Sequence, residues 1–320
     1  MLFTGRSITH PLSSSPTSHP TATEAPSPLT GRLVPVSEAR RYPLAVMIEN
    51  HPDARPQSGL ADAGLVYEAY AEGGITRFMA VYVEGNITET IGPVRSVRTY
   101  YLDWATEIKA ILAHVGGNMD ALDLISSSNV YNLDQFANGS TYWRDNNRYA
   151  PHNVYTTLQR LRDTAKANGD NINNPSYPTF HYKDPAPVAS RPESAEFSVN
   201  YGGSYNVKWV YDKAGNTYSR YIAGTADVDA ANSKQIKASN IIVQVVPQAN
   251  IITRIGEQGL KLDTVGTGAA KVVADGVTID ATWKKLSGQK TRFYDSSGKE
   301  IKLNRGVTWI EIVPPWVTYG

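Results

Sequence analysis

The stretch Ile91-Gly92-Pro93-Val94-Arg95-Ser96-Val97-Arg98 separates a predicted strand from a predicted helix. Glycine followed by proline is typical of a break in regular structure. Beyond this break, apolar residues recur with a helical period at Val97, Tyr101, Trp104 and Ile108. The sequence therefore predicts a helix whose first turn carries Arg95 and Arg98, three residues apart on one face.

Two arginines at the start of a helix are unfavourable by themselves. The partly positive helix N-terminus repels each cation by a few tenths to about 1 kcal/mol. A bound anion reverses that sign, since free backbone N–H groups and both guanidinium groups then converge on it. Arg95 and Arg98 therefore predict an anion-binding site, with internal carboxylates as the alternative counter-charge.

Short apolar runs on both sides of this stretch predict strands of a buried sheet, at residues 44–49, 65–71, 78–83 and 110–115. A further helix is predicted with Asn153 as its cap. Its apolar stripe consists of Val154, Leu158, Leu161 and Ala165. Strands that alternate with helices predict an α+β or α/β domain over residues 41–170, with a mixed sheet and flanking helices.

The remaining segments differ in composition from this domain. Residues 1–40 are rich in Ser, Thr, Pro and Ala and are predicted to be a disordered tether. Residues 171–197 are rich in proline and are predicted to be a linker. Strand patterns with turn signals, among them Asp275-Gly276, then predict a smaller and mainly antiparallel β domain over residues 198–317. Four of its tryptophans are predicted to be packing anchors: Trp209, Trp283, Trp309 and Trp316.

Composition excludes several classes of function. The net charge of +1 offers no concentrated basic face for nucleic acid. The absence of cysteine excludes disulfides, thiolate nucleophiles and zinc–thiolate sites. No apolar run reaches the ~18 residues of a membrane-spanning helix.

Arginines form the first candidate cluster, which consists of Arg55, Arg77, Arg95, Arg98, Arg144 and Arg148. Arginine keeps its charge and holds carboxylate or phosphate in a bidentate manner. The alternative is that these arginines pair with acids inside the fold. The candidate acids are Glu49, Glu68, Glu72 and Asp145.

Glu68 and Glu72 form a second candidate cluster on one face of a predicted strand. An extended strand separates them by about 13 Å, at ~3.3 Å per residue. That is too far for a shared metal ion or a catalytic carboxylate pair. The pattern therefore favours counter-ions for the arginines over catalytic acids.

The turn Gly116-Gly117-Asn118 is a third candidate, because backbone N–H groups in a strand-to-helix turn can hold an anion. His152 lies just before the predicted helix at Asn153 and is a candidate neutral base or hydrogen-bond donor. A structural hydrogen-bonding role is its alternative. The predicted anion-binding set is thus Arg77, Arg95, Arg98, Gly116, Gly117, Asn118 and His152, with Glu68 and Glu72 as supporting acids. No serine-nucleophile or metal-binding motif occurs, so no metal and no cofactor are predicted.

Three stretches carry a resemblance to a known family: Ile91–Arg98, Ala54-Arg55-Pro56-Gln57-Ser58-Gly59-Leu60 and Ala150-Pro151-His152-Asn153. Over residues 41–314 the chain resembles the YerB-like family of bacterial envelope lipoproteins. The resemblance implies a two-part domain of unknown activity outside the cytoplasm, held at the membrane by a lipid anchor. This sequence has no lipoprotein signal, so either the export segment is missing from it or the protein is not exported.

Two functions remain. The favoured one is a membrane-tethered binding or regulatory protein with an arginine-lined pocket for an anionic small molecule, an envelope component or an acidic segment of a partner protein. The alternative is an enzyme of phosphoryl or glycosyl transfer. In that enzyme Arg95 and Arg98 would stabilise charge, and His152 or the Glu68 and Glu72 pair would transfer protons.

Overall fold

The structure is a computed structural model that describes residues 1, 23–85, 89–128, 130–169 and 176–320. It contains the helices α1 (Val36–Ala39), α2 (Thr99–Glu107), α3 (Met119–Ser127) and α4 (Leu158–Ala167). Within the described ranges, none of the helices has the length and apolar character needed to cross a membrane.

The N-terminal half contributes eleven strands in the described ranges: β1 (Glu24–Pro26), β2 (Leu33–Pro35), β3 (Leu44–Glu49), β4 (Leu65–Tyr70), β5 (Thr76–Tyr82), β6 (Thr90–Ile91), β7 (Ile111–His114), β8 (Asn132–Asp134), β9 (Trp143–Arg144), β10 (Val154–Thr157) and β11 (Tyr182–Lys183). The C-terminal half contributes the others: β12 (Glu196–Val199), β13 (Val207–Asp212), β14 (Thr217–Ile222), β15 (Thr225–Ala226), β16 (Lys237–Ala238), β17 (Asn240–Val245), β18 (Gln248–Ile252), β19 (Gln258–Leu262), β20 (Gly266–Ala274), β21 (Val277–Lys285), β22 (Arg292–Tyr294), β23 (Leu303–Asn304) and β24 (Thr308–Val313).

One large mixed sheet runs through both halves of the chain. Its strand order is β22-β21-β20-β17-β24-β4-β5-β3-β7-β8. The parallel pair of β24 with β4 joins the C-terminal strands to the N-terminal ones. Strands from both sides of the predicted linker at residues 171–197 therefore belong to the same sheet.

The central strands form because their sequences are nearly continuous apolar runs. Every residue of β3, β4, β5 and β24 is buried, as expected for strands covered on both faces. Helix α2 covers one face, where Trp104 stacks on Tyr67 with ring centroids 5.4 Å apart. The antiparallel sheet of β12 to β16 covers the other, where Trp209 meets Trp309 at 5.4 Å.

The fold class differs from the prediction in its balance of elements. Strands account for 40% of the structure and helices for 17%, so the fold is mixed but mainly β, rather than clearly α+β or α/β. A mixed sheet was expected within residues 41–170 and an antiparallel domain over residues 198–317. Five strands of the second range belong to the large mixed sheet instead.

Two predicted segments take another form. Residues 24–39, assigned to the disordered tether, form β1, β2 and α1, and Leu29 between them is buried in the core. Residues 2–22 of the tether prediction lie outside the described residues. Helix α4 starts at Leu158, because Thr157 rather than Asn153 caps it by accepting a hydrogen bond from the backbone N–H of Arg160 at 3.2 Å. The β-branched run before it forms β10.

Candidate functional site

Most of the candidate charged residues lie at one edge of the large sheet. Strands β3, β4 and β7 run in the same direction, because β3 and β4 are both antiparallel to β5 and β3 is parallel to β7. Glu49 ends β3, and Glu72 follows β4. Arg77 lies at the start of β5, at the same edge. Open sheets of this kind bind ligands outside the carboxyl ends of their parallel strands.

Arg98 and Glu72 form a bidentate ion pair at this edge. Arg98 Nε lies 2.5 Å from Glu72 Oε1, and Nη2 lies 2.7 Å from Oε2. Burial acts to raise the pKa of Glu72, but the hydrogen bonds and charge of Arg98 outweigh it and hold that pKa below its usual value. Glu72 is therefore ionised and fixed in orientation.

Arg98 precedes the helix instead of lying on its first turn. It is the N-cap of α2, with an extended φ of −128°. Arg95 lies three residues further back, where its N–H donates to the carbonyl of Met47 and its carbonyl accepts from Val115. The prediction that both arginines lie on the first turn of this helix is therefore wrong, because β-type hydrogen bonding continues through Arg95.

Arg77 is buried beside Arg98, and none of the described acidic residues forms an ion pair with it. Its Nη1 donates to the carbonyl of Ser96 at 2.8 Å and lies 3.4 Å from the Ser96 hydroxyl, while its Nε has no hydrogen-bond partner among the described residues. Burial, and then the charge of Arg98, lower the pKa of Arg77. An uncompensated buried charge of this kind is costly unless something neutralises it.

Glu49 joins a second arginine to a histidine. Its Oε1 accepts from Arg95 Nε at 3.0 Å, and its Oε2 lies 2.8 Å from His152 Nδ1. The ring of His152 stacks on that of His51, with centroids 4.9 Å apart and planes 17° apart. The carboxylate of Glu49 therefore fixes the orientation of the His152 ring through Nδ1, and Nε2 does not take part in this hydrogen bond.

We call this group the edge cluster; it consists of Glu49, Glu72, Arg77, Arg95, Arg98 and His152. The structure thus brings together four residues of the predicted anion-binding set and one of the two supporting acids. Among the arginines and glutamates of the cluster, three guanidinium groups face two carboxylates. The edge cluster carries one positive charge in excess.

The predicted Gly116-Gly117-Asn118 turn lies next to the cluster, but Gly116 and Asn118 already form hydrogen bonds within the protein. The N–H of Gly116 donates to Asp134 Oδ1 at 2.8 Å. The Asn118 side chain caps α3 by accepting from the N–H of Ala121 at 3.3 Å. At Gly116, a carboxylate of the protein thus occupies the place where an anion was expected.

Glu68 lies away from the edge cluster, in the interior. Its Oε2 binds Arg220 Nη2 at 2.6 Å, and its Oε1 accepts from Thr76 at 2.7 Å. Glu68 and Arg220 have no exposed side-chain surface, so Glu68 cannot touch a substrate. Arg220 was not among the predicted site residues, although an arginine at an inward position of the alternating strand β14 is a detectable signal.

The other three candidate arginines bond mainly to neutral groups. Arg55 Nη1 donates to the carbonyl of Ser204 at 2.7 Å, and Arg144 Nη1 to Asn153 Oδ1 at 2.7 Å. Arg148 Nη2 donates to the carbonyl of Pro56 at 2.9 Å. These contacts fix loops around the edge cluster and add no side chain to it.

A metal ion has one candidate group in the described part of the chain. Ligand atoms of His51, Asp53 and His152 all lie within 4.8 Å of one another. The two rings are stacked, so their in-plane lone pairs run side by side and do not converge on one point. His51 Nδ1 also accepts from the N–H of Asp53 at 3.2 Å. This geometry does not form a ready tetrahedral site.

Comparison with known families confirms the resemblance seen in the sequence. The family model described as "Protein of unknown function (DUF3048) N-terminal domain" matches residues 29–171. The one described as "Protein of unknown function (DUF3048) C-terminal domain" matches residues 197–310.

One relative and one solved structure are similar over almost the whole chain. The chain is 33% identical over 298 residues to the "Putative lipoprotein YerB" of Bacillus subtilis (strain 168). The matched region is 92% of this chain and 88% of that protein. The crystal structure of the YerB protein from Bacillus subtilis matches with a TM-score of 0.82 at 30% identity, over 92% of this chain and 99% of that one.

Proposed function

Since this chain belongs to the DUF3048 family of proteins of unknown function, we propose that it is the membrane-tethered, extracytoplasmic part of a binding protein for an anionic ligand. The name of the Bacillus relative, a lipoprotein, supports the tether and the location. The edge cluster is the proposed binding site. The ligand class is a small anion, an anionic envelope component or an acidic segment of a partner protein.

A single observation carries this proposal. Arg98 binds both carboxylate oxygens of Glu72, and within the described ranges the buried guanidinium of Arg77 has no ion-pair partner. An anion at this point would neutralise the excess charge and accept hydrogen bonds from guanidinium groups. The site lies beyond the carboxyl ends of β3 and β4, where sheets of this type hold their ligands.

Sulfate is the simplest probe of the site. Comparing sodium sulfate with sodium chloride at equal ionic strength removes the difference in screening. Sulfate also stabilises native proteins without binding to them, so specific binding is measured by the part of the increase in melting temperature that depends on the edge cluster. The wild type should melt at a higher temperature in sulfate. No difference between the two salts would refute the site.

Two substitutions with opposite expected effects make the test sharper. Arg98→Ala leaves one guanidinium, Arg77, beside one carboxylate, Glu72, and should reduce the sulfate increment to the general salt effect. Glu72→Gln removes the competing carboxylate and should enlarge the increment. Arg254→Ala is the matched control, because Arg254 is an exposed arginine that pairs with Asp123. Equal increments in all four proteins would contradict the proposal.

A catalytic role for His152 is a second candidate, favoured by its contact with Glu49. A carboxylate that holds one ring nitrogen of a histidine leaves the other in a fixed direction, as general bases require. This arrangement suits the transfer reactions considered from the sequence, with Arg95 beside it to stabilise charge.

His152→Gln tests this candidate. If His152 transfers protons, the variant should keep its melting temperature in sodium chloride but lose hydrolysis of a phosphate ester such as p-nitrophenyl phosphate. Hydrolysis that is absent in the wild type, or unchanged in the variant, would exclude proton transfer by His152 in that reaction.

A further inference from the structure

A cleft opens beside the edge cluster, between a glycine turn and a protruding hairpin. One wall is the turn Glu72-Gly73-Gly74, and the other is the hairpin of β18 and β19. The main lobe has a volume of about 430 Å³, within the ~300–1,000 Å³ typical of small-molecule sites. A second lobe of about 290 Å³ shares Gly73, Gly74, Asn250 and Leu260 with the first, so the two form one elongated cleft.

Trp316 gives the second lobe an aromatic rim. Its exposed fraction is 63%, whereas Trp209, Trp283 and Trp309 are buried as predicted. The prediction that Trp316 is a packing anchor is therefore wrong. A large ring left in water at the mouth of a cleft is a typical platform for a flat apolar surface of a ligand.

Amide side chains supply the polar part of the cleft. Gln248 and Asn250 on β18 and Gln258 on β19 line it, and their amide groups have no hydrogen-bond partner within the described ranges. Each amide offers donors and an acceptor at once. Hydroxyl and acetamido groups have the same dual character.

The cleft contains little usable charge. Its one acidic side chain is Glu72, and Arg98 already binds both carboxylate oxygens. The hydroxyl groups of Tyr70 and Tyr201 are engaged with the protein itself. Among the described residues that line the cleft itself, none offers an unpaired charge to a ligand, so an uncharged ligand is favoured.

We infer that this cleft binds a neutral oligosaccharide, with a sugar ring on Trp316 and sugar substituents on the amides of Gln248 and Asn250. The elongated cleft has room for several linked sugar rings. A sugar ring is apolar on its face and polar around its rim, which matches the indole of Trp316 and the amides beside it. This site goes beyond the proposed anion site and stands independently of it.

Titration with two tetrasaccharides tests the inference, one of β-1,4-linked N-acetylglucosamine and one of α-1,4-linked glucose. Trp316 is the most exposed of the six tryptophans, so saturable changes in tryptophan fluorescence should report binding, with calorimetry as the second measurement. Trp316→Ala should weaken the affinity roughly tenfold or more, since it removes the ring platform. Asn250→Ala should weaken it as well.

Tyr149→Ala is the matched control, because Tyr149 is an aromatic residue with 91% exposure that does not line the cleft. It should bind the sugar like the wild type. Trp316→Ala should also keep its melting temperature and its sulfate increment, which separates failure of this site from failure of the anion site. Binding of neither sugar, or equal affinity with and without Trp316, would overturn the inference. Saturable binding of an extended peptide such as (Ser-Ala)5, with no binding of either sugar, would show that the cleft binds peptides and would also overturn the inference.

Discussion

Glu68 and Glu311 lie directly opposite each other in the neighbouring parallel strands β4 and β24, and neither is exposed to solvent. This pair lies where the two halves of the chain join. Arg220 binds Glu68 and Asp227, while the indole of Trp209 donates to Glu311 Oε1 at 3.0 Å. Burial, and then the charge of Glu68, raise the pKa of Glu311 well above its usual value. The raised pKa favours the protonated form of Glu311, whereas Glu68 is the partner of an arginine.

Glu311→Gln should become more stable than the wild type as the pH rises. A raised pKa stabilises the wild type fully only below the ordinary value of 4.5, and this contribution is lost as the pH rises toward the pKa of the folded state. The loss is about 1.4 kcal/mol per pH unit. Glutamine has no proton to lose, so urea unfolding between about pH 5 and pH 8 should show a widening difference. A difference that stays constant with pH would contradict the raised pKa of Glu311.

Glu68→Gln should lower the stability of the protein, in contrast to Glu311→Gln. It removes the charge that faces Arg220 in a site without solvent. Breaking a buried ion pair from one side costs about 3 kcal/mol or more, because the remaining charge stays buried. The free energy of unfolding at neutral pH measures this loss. Equal effects of Glu68→Gln and Glu311→Gln would show that the two glutamates share their charge evenly.

Local patterns predicted the individual strands well. The run Leu44–Glu49 is β3 in full, and the Asp275-Gly276 signal lies in the tight turn of the hairpin where Ala274 pairs with Val277. Both follow from residues next to each other in the chain. A fully apolar strand carries no information on its neighbours, however. The insertion of β24 between β17 and β4 was therefore beyond sequence reasoning.

The candidate site shows the same limit. Internal acids were the alternative partners for the arginine cluster, and two such pairs exist, Arg95 with Glu49 and Arg98 with Glu72. The true partner of Glu68 is Arg220, 152 residues away in the chain. Such a contact depends on how the two halves pack, which periodicity does not report.

Glu107 on α2 holds two buried lysines at once. Its Oε2 lies 3.1 Å from Lys285 Nζ, and its Oε1 lies 3.6 Å from Lys290 Nζ. Lys290 Nζ also lies 3.7 Å from the ring centroid of Phe180. Burial lowers the pKa of Lys290 to about 8, against the opposing effect of Glu107. One ammonium group is thus in excess at this point.

Lys290→Met should raise the stability of the protein at neutral pH and flatten its dependence on alkaline pH. Because the pKa of Lys290 is lower in the folded state, its charge destabilises the wild type below about pH 8. The free energy of unfolding then rises between about pH 8 and the ordinary pKa of 10.5. The full effect is about 3 kcal/mol. Methionine fills a similar volume without a charge, and Tyr67 and Thr291 still donate to Glu107. Chemical unfolding at neutral and alkaline pH measures both effects. A variant with unchanged alkaline dependence would show that Lys290 is fully charged in the folded protein.

Gly59→Ala should destabilise the protein by about 3 kcal/mol, the sum of backbone strain and overpacking. Gly59 has a φ of +88°, and a Cβ there would lie 2.8 Å from Cγ1 of Ile91. Its N–H also donates to Asp229 Oδ1 at 3.0 Å, so the loop cannot move aside without losing that bond. Gly298→Ala is the matched control, because Gly298 has a φ of +80° but a Cβ there would meet nothing within 4 Å. It should cost only the backbone strain, about 1 kcal/mol. The difference between the two urea midpoints therefore measures how tightly the loop before β4 packs on Ile91, and equal losses would show that the loop yields.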